Sequence, residues 1–173
     1  MTSGVATFST SALPVGTDSV TAVYLGDSTF ASSTSAASSV TVSQASTTTA
    51  LTASPTSGTV GTSILLTATV APTSPGTGTA TGSVQFLNGA NVLATVPLTN
   101  GTATFTTTTL PVGTNTLTAK YVGDTNYVTS TSTNVSVNIL SKTTTTLSPA
   151  SGSLVFGQSQ SLTATVTGTS PNS

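Results

Sequence analysis

A chain of 173 residues with three acids (Asp18, Asp27, Asp124), two bases (Lys120, Lys142) and no His, Cys, Trp, Arg or Glu has little with which to do chemistry. General acids and bases are nearly absent, no imidazole or thiolate stands ready for zinc or iron, and no Ser–His–Asp or Cys–His arrangement can be assembled. A net charge of −1 neither neutralises phosphates nor docks on anionic lipid, and no apolar run approaches the ~20 residues that cross a bilayer, so the expectation is a chain that is not an enzyme, with no cofactor or metal, no nucleic-acid partner and no membrane span.

In chain order, the first element is Gly4-Val5-Ala6-Thr7-Phe8, followed by the turn Leu13-Pro14-Val15-Gly16-Thr17 and by Tyr24-Leu25-Gly26-Asp27. A strand is expected near Thr47–Ala53, closed by Pro55 and Gly58. Ile64, Leu66, Ala68 and Val70 then alternate with Leu65, Thr67 and Thr69, the period of a half-buried strand. Pro72, Pro75, Gly76 and Gly78 predict a loop, and Val84 and Phe86 a further strand that ends at the hairpin signal Asn88-Gly89. After Asn100-Gly101 the alternation resumes at Ala103 and Phe105, turns at Pro111-x-Gly113, continues through Leu117, Ala119 and Tyr121, turns again at Gly123-Asp124 and closes with Val135, Val137 and Ile139. No window carries helical periodicity. One apolar and one hydroxyl face per strand means that each sheet needs another to cover it, and the outward Thr residues still favour strand because they are β-branched.

The elements recur. Gly4–Phe8 reappears as Gly101–Phe105, Leu13–Thr17 unchanged as Leu110–Thr114, Tyr24–Asp27 as Tyr121–Asp124, and Leu66–Val70 as Leu162–Val166. A period of about 96 residues is too long for helical solenoids and suits a sandwich of about seven strands. It divides the chain into the second half of one repeat (residues 1–43), a complete repeat (44–140) and the first half of a third (141–173). The half-repeats are expected either to belong to a longer continuous polypeptide or to be completed by halves of neighbouring chains. The short linker near Leu140–Lys142, with Ile139, Leu140 and Leu147 expected to pack there, predicts successive domains in an extended rod.

The strings Gly-x-Ala-Thr-Phe, Leu-Pro-x-Gly-Thr and Leu-Thr-Ala-x-Tyr-x-Gly-Asp-x-x-Tyr, in that order, resemble the bacterial Ig-like domain repeats of large secreted and cell-surface proteins. The resemblance covers essentially the whole chain. It implies all-β tandem immunoglobulin-like antiparallel sandwiches, an extracellular or cell-surface location and a structural role in a fibre or stalk, with neighbouring repeats or copies of the chain as partners. Two alternatives remain open: an adhesive or glycan-binding module, and a spacer domain of a secreted enzyme.

Several residues carry both a sharp and a plain reading. Asp27 and Asp124 recur in the same Gly-Asp turn; calcium wants six to eight oxygens and each repeat supplies one or two carboxylates, so an Asx-type turn is the plainer role. Asp18 aligns with Asn115, which suits a turn role better than a charge role. Tyr24 and Tyr121 are candidates either for a hydroxyl that bonds back to a turn, as in the tyrosine corner of Ig-like sandwiches, or for plain core positions. Lys120 lies on the polar face, where a solvated lysine is favoured over a cross-linking one. Phe105, Pro111 and Gly113 are read as core and turn residues. Thr106, Thr107 and Thr108, and Thr143, Thr144 and Thr145, are candidate attachment points for O-linked glycans, and Asn100 and Asn134 head formal N-glycosylation triplets.

Overall fold

A computed structural model describes residues 4–149 and 152–169. Its strands are β1 (Gly16–Val20), β2 (Val23–Tyr24), β3 (Ser33–Thr34), β4 (Ser38–Val42), β5 (Thr47–Ser54), β6 (Ser57–Thr59), β7 (Ile64–Pro72), β8 (Ser83–Asn88), β9 (Asn91–Pro97), β10 (Thr102–Thr107), β11 (Gly113–Tyr121), β12 (Ser130–Thr131), β13 (Val135–Leu140), β14 (Lys142–Ser148) and β15 (Thr163–Thr169). The described residues contain no helix, so the chain is all-β.

A sandwich is built from β5 to β13. One sheet has the order β10-β7-β5 and the other β6-β13-β11-β8-β9, with β12 added beside β11. All pairings are antiparallel except β13 with β6. The seven long strands match the expected number, and β6 and β12 are short additions. Pro55 explains β6: β5 runs antiparallel to β7 up to Ser54, proline has no N–H to extend that ladder, and the chain crosses to the other sheet to run beside β13.

Period two decides what is buried. Ile64, Leu66, Ala68 and Val70 of β7 face inward, as do Leu117, Ala119 and Tyr121 of β11 and Val137 and Ile139 of β13. Phe86 sits at the centre with no exposed surface, its ring 5.8 Å from that of Phe105. Phe105 itself is only half-buried against the core rather than fully inside it, because β10 is the edge strand of its sheet. The Asn88-Gly89 signal marks a two-residue hairpin shifted by one position: Asn88 ends β8 opposite Asn91, and Gly89 and Ala90 make the turn. At Asn100-Gly101 both residues take positive φ, 51° and 74°, with Thr99 and Thr102 exchanging backbone hydrogen bonds across them.

The flanks repeat the sandwich's ladder register without its second layer. Gly16 pairs with Val42 as Gly113 pairs with Ile139, and Val23 with Thr34 as Lys120 with Thr131. β14 pairs with β15 as β5 pairs with β7. The expected packing of Ile139, Leu140 and Leu147 at the linker is not formed. Alternation along β13 turns Ile139 into the sandwich core and Leu140 outward, leaving Leu140 and Leu147 more than half exposed.

Removing the central ring should leave a cavity that the small side chains around it cannot fill. Phe86→Ala should cost about 3–5 kcal/mol in chemical denaturation, and Phe105→Ala, at the half-buried edge position, clearly less.

Candidate functional site

Three segments meet at the turn that follows β11. Gly123-Asp124 carries the chain away from Tyr121, and the Asp124 carboxylate closes the turn: Oδ1 accepts the backbone N–H groups of Asn126 (2.8 Å) and Tyr127 (2.9 Å). Oδ2 accepts the Thr81 backbone N–H at 2.9 Å and the Thr81 hydroxyl. These donors occupy the acceptor positions of both oxygens, so the carboxylate is spent on joining its own turn to the β7–β8 loop and has little left for a cation. Among the described residues no group of three or more acids, His or Cys comes together to hold a metal. Partial burial pulls the Asp124 carboxyl upward, but the bonds from Thr81, Asn126 and Tyr127 outweigh it and hold the pKa down to about 2.

The third segment is the lead-in to β5. The Ala45 N–H donates to the Asn126 carbonyl (2.8 Å) and the Val128 N–H to the Ala45 carbonyl (3.0 Å), a parallel bridge between Ala45 and Tyr127. Gln44 Nε2 donates to the Asp124 carbonyl at 2.7 Å. Tyr127 then reaches across to the loop, donating its hydroxyl to the Thr77 carbonyl at 2.6 Å. Gly78 is required beneath it: at φ 95°, a Cβ there would lie 2.5 Å from the Tyr127 hydroxyl.

The tyrosine that bonds back to a loop is therefore Tyr127, not Tyr121. Tyr121 is a core residue with no exposed surface, and its hydroxyl makes no hydrogen bond. Burial, with the Asp124 carboxylate adding to it, pushes its pKa up to about 12. In the first flank the same positions are wired differently. Asp27 Oδ1 accepts the N–H groups of Thr29 and Phe30 at 2.7 and 2.8 Å, and Oδ2, with no threonine to meet it, accepts the Tyr24 hydroxyl at 2.8 Å. Those bonds, the Thr29 N–H foremost, lower the Asp27 pKa, and the hydrogen bond from Tyr24 to Asp27 raises that of Tyr24.

Asn115 serves a turn, as its alignment with Asp18 suggests, but from a buried strand position that the sequence did not show. It is 2% exposed on β11; its Nδ2 donates to the Pro111 carbonyl (2.9 Å) and lies 3.2 Å from that of Gly113, while its Oδ1 accepts from Asn88 Nδ2 at 2.7 Å. One side chain thus ties the Pro111–Gly113 turn to the end of β8. Its counterpart Asp18 cannot donate, and Asp18 Oδ2 is buried without a partner.

Lys120 is exposed on the outer face of β11. Of the candidate glycan positions, Thr106, Thr108, Thr143, Thr144, Thr145, Asn100 and Asn134 are exposed. Thr107 is not: it is 6% exposed, with its hydroxyl 3.2 Å from that of Thr109, and a sugar has no room there in the folded chain.

A two-layer, mostly antiparallel sandwich whose acid and amides hold its own turns together has the build of an Ig-like domain. The chain belongs to the bacterial Ig-like domain (group 3) family, whose model matches residues 1–43 and 51–140. Nothing among curated protein sequences matches it. Among solved structures it is similar to the fibronectin(III)-like modules of Clostridium thermocellum CbhA, at 21% identity and a TM-score of 0.42, over 73% of this chain and 62% of that one. That likeness is too slight to carry an argument. No helix among the described residues is long and apolar enough to cross a membrane.

Two predictions follow from the wiring of these side chains. Tyr127→Phe should cost about 1 kcal/mol in denaturant titration, whereas Tyr121→Phe should be neutral or stabilising, because it removes a buried hydroxyl that has no partner. Asp124 is the only acid between residues 44 and 140. Its folded pKa lies below the ordinary value of 3.8, so it contributes stability above that value and loses the contribution as pH falls through about 2. The sandwich's denaturation midpoint should therefore drop between pH 4 and pH 2, and Asp124→Asn should flatten that drop while lowering the midpoint at neutral pH.

Proposed function

We propose that this chain is a non-catalytic structural repeat of a secreted or cell-surface bacterial protein, one segment of a stalk or fibre built from successive Ig-like modules. The observation that carries the reading is the use to which the polar side chains are put. The sandwich's one acid accepts from backbone N–H groups and from the Thr81 hydroxyl, and its buried asparagine binds the Pro111 carbonyl and Asn88, so both are spent inside the fold. The recurrence of the ladder register in the flanks supports a repeated unit. Family membership supports a surface or secreted setting.

In this reading the hydroxyl-rich outer faces keep the module soluble where charge does not. Exposed Thr143–Thr145, Thr106 and Thr108 are its attachment points for sugar, with Asn100 and Asn134 as further acceptors.

The test is peptide-level mass mapping of the protein from the producing bacterium, after fractionation into cytosol, cell surface and medium. The expected result is recovery from the surface or medium, with hexose increments on peptides containing Thr143–Thr145 and none at Thr107. Recovery of the unmodified protein from the cytosol alone would overturn the reading, and tight binding of the isolated chain to a defined glycan would favour an adhesive module instead.

A further inference from the structure

Glycine follows asparagine at Asn88-Gly89 and at Asn100-Gly101, and nowhere else in the chain. In such a pair the glycine's backbone nitrogen can attack the asparagine's side-chain carbonyl carbon, because the following residue has no Cβ to crowd the approach. The fold treats the two pairs differently. At Asn88 both reacting groups are held. Asn88 Nδ2 donates to Asn115 Oδ1 at 2.7 Å, and the Gly89 N–H donates to the Thr116 carbonyl at 2.9 Å. Gly89 therefore turns toward the Asn88 side chain only when the end of the β8–β9 hairpin comes away from β11.

At Asn100 neither group is held. The side chain is exposed, and among the described residues no group engages it, the Asn100 carbonyl or the Gly101 N–H. The hydrogen bonds of this turn lie on either side of that peptide plane. Thr99 and Thr102 exchange theirs, and the Gly101 carbonyl, which belongs to the next plane, accepts the Val70 N–H at 2.8 Å. The Asn100–Gly101 plane thus turns without breaking a hydrogen bond. The brake on it is packing: Gly101 is buried, with Val70 and Thr79 against its α-carbon, which makes the folded turn slower to react than an unfolded chain.

We propose that Asn100 is a modification site at which the chain converts its own side-chain amide to an acid, with water as the co-reactant, while the fold protects Asn88. The Gly101 nitrogen gives its proton to solvent base and bonds to Asn100 Cγ. The Cγ–Nδ2 bond breaks, and the amide nitrogen takes up a proton and leaves as ammonia. A five-membered succinimide ring remains. Water then adds to one of the two ring carbonyls and breaks its bond to nitrogen. Opening at Cγ leaves aspartate; opening at the backbone carbonyl carbon leaves isoaspartate, with the main chain running through the former side chain. Nothing is oxidised or reduced. Either product puts a second acid into a sandwich whose one acid is Asp124. Isoaspartate also adds a methylene to a two-residue turn that the Thr99 and Thr102 bonds fit closely. A glycan on Asn100 Nδ2 blocks the same bond from breaking, so the two fates of this side chain exclude each other.

The proposal goes beyond the repeat-unit reading and stands or falls apart from it, since it concerns the folded sandwich whatever the chain builds. The test incubates the full chain, made without glycans, in mildly alkaline buffer, folded in one series and in concentrated urea in another. Samples are digested with pepsin in acid, which separates the two asparagines at Leu93 and Leu98. Conversion of each peptide is followed by mass, and isoaspartate is read by labelling with an isoaspartyl methyltransferase. In the folded chain Asn100 should convert at least about tenfold faster than Asn88, whose reaction waits for two hydrogen bonds to open. In urea both should speed up and their rates should draw together. Equal rates in the folded chain, or a faster Asn88, would overturn the proposal. A tenfold difference that persists in urea would overturn it too, because local sequence and not the fold would then be the cause.

Discussion

Leu66 and Leu162 sit in the same sequence context, Leu-Thr-Ala-Thr-Val, yet one has no exposed surface and the other is 61% exposed. The difference isolates the constraint that governs this fold. A strand with one apolar and one hydroxyl face is satisfied on one side only, and backbone pairing alone does not supply the rest. β14 and β15 make a complete seven-residue ladder and bury almost nothing. Only when β11, β13 and β8 close over β5, β7 and β10 does the apolar surface leave water, at roughly 25 cal/mol for each Å². With few rings and many alanines and valines, the core depends on this closure being complete.

Closure brings together segments far apart in the chain, and the polar side chains hold them there. Asp124 joins the last hairpin to the loop before β8, Asn115 ties the turn before β11 to the end of β8, and Tyr127 fastens that hairpin to the loop over Gly78. The comparison of Asp27 with Asp124 shows how the wiring depends on what is present. At Asp124, Oδ2 takes Thr81 and the Tyr121 hydroxyl is left without a partner; at Asp27, Oδ2 takes the Tyr24 hydroxyl. The orphaned Tyr121 hydroxyl is thus a by-product of a tyrosine kept for its ring.

The alternation over Ile64–Val70 and Asn115–Tyr121 was readable residue by residue, because each sheet has one wet face and period two records it without interference. The turns were readable for a similar reason, since Pro111 and the Asn100-Gly101 pair act through their own backbones. What the sequence hid lies across space. β6 has no apolar residue and exists because Pro55 ends one ladder beside the open edge of β13. Asn115 sits at an inward position of a strand, where an amide reads as a turn residue until its carbonyl partners are seen. Tyr121 ends β11 with its ring in the core, while Tyr127 comes just after the Gly123-Asp124 turn, where the loop over Gly78 takes its hydroxyl. Leu140 and Leu147 looked like linker packing because they are large and apolar, but alternation along β13 turns Leu140 outward, and Leu147 lies on a two-stranded pair that no second layer covers.

The placement of the two lysines has a consequence for resistance to proteolysis. With no arginine, Lys120 and Lys142 are the only positions after which a trypsin-like protease cleaves. Such an enzyme must draw several residues of extended chain into its cleft, and both lysines are already committed to ladders: Lys120 lies between Gln85 and Thr131 on neighbouring strands, and Lys142 opposite Thr169. Cleavage at Lys120 has to wait for the central sandwich to open, so digestion there proceeds at the pace of unfolding, whereas Lys142, at the head of a two-stranded pair with no second layer, is the point where a digest begins.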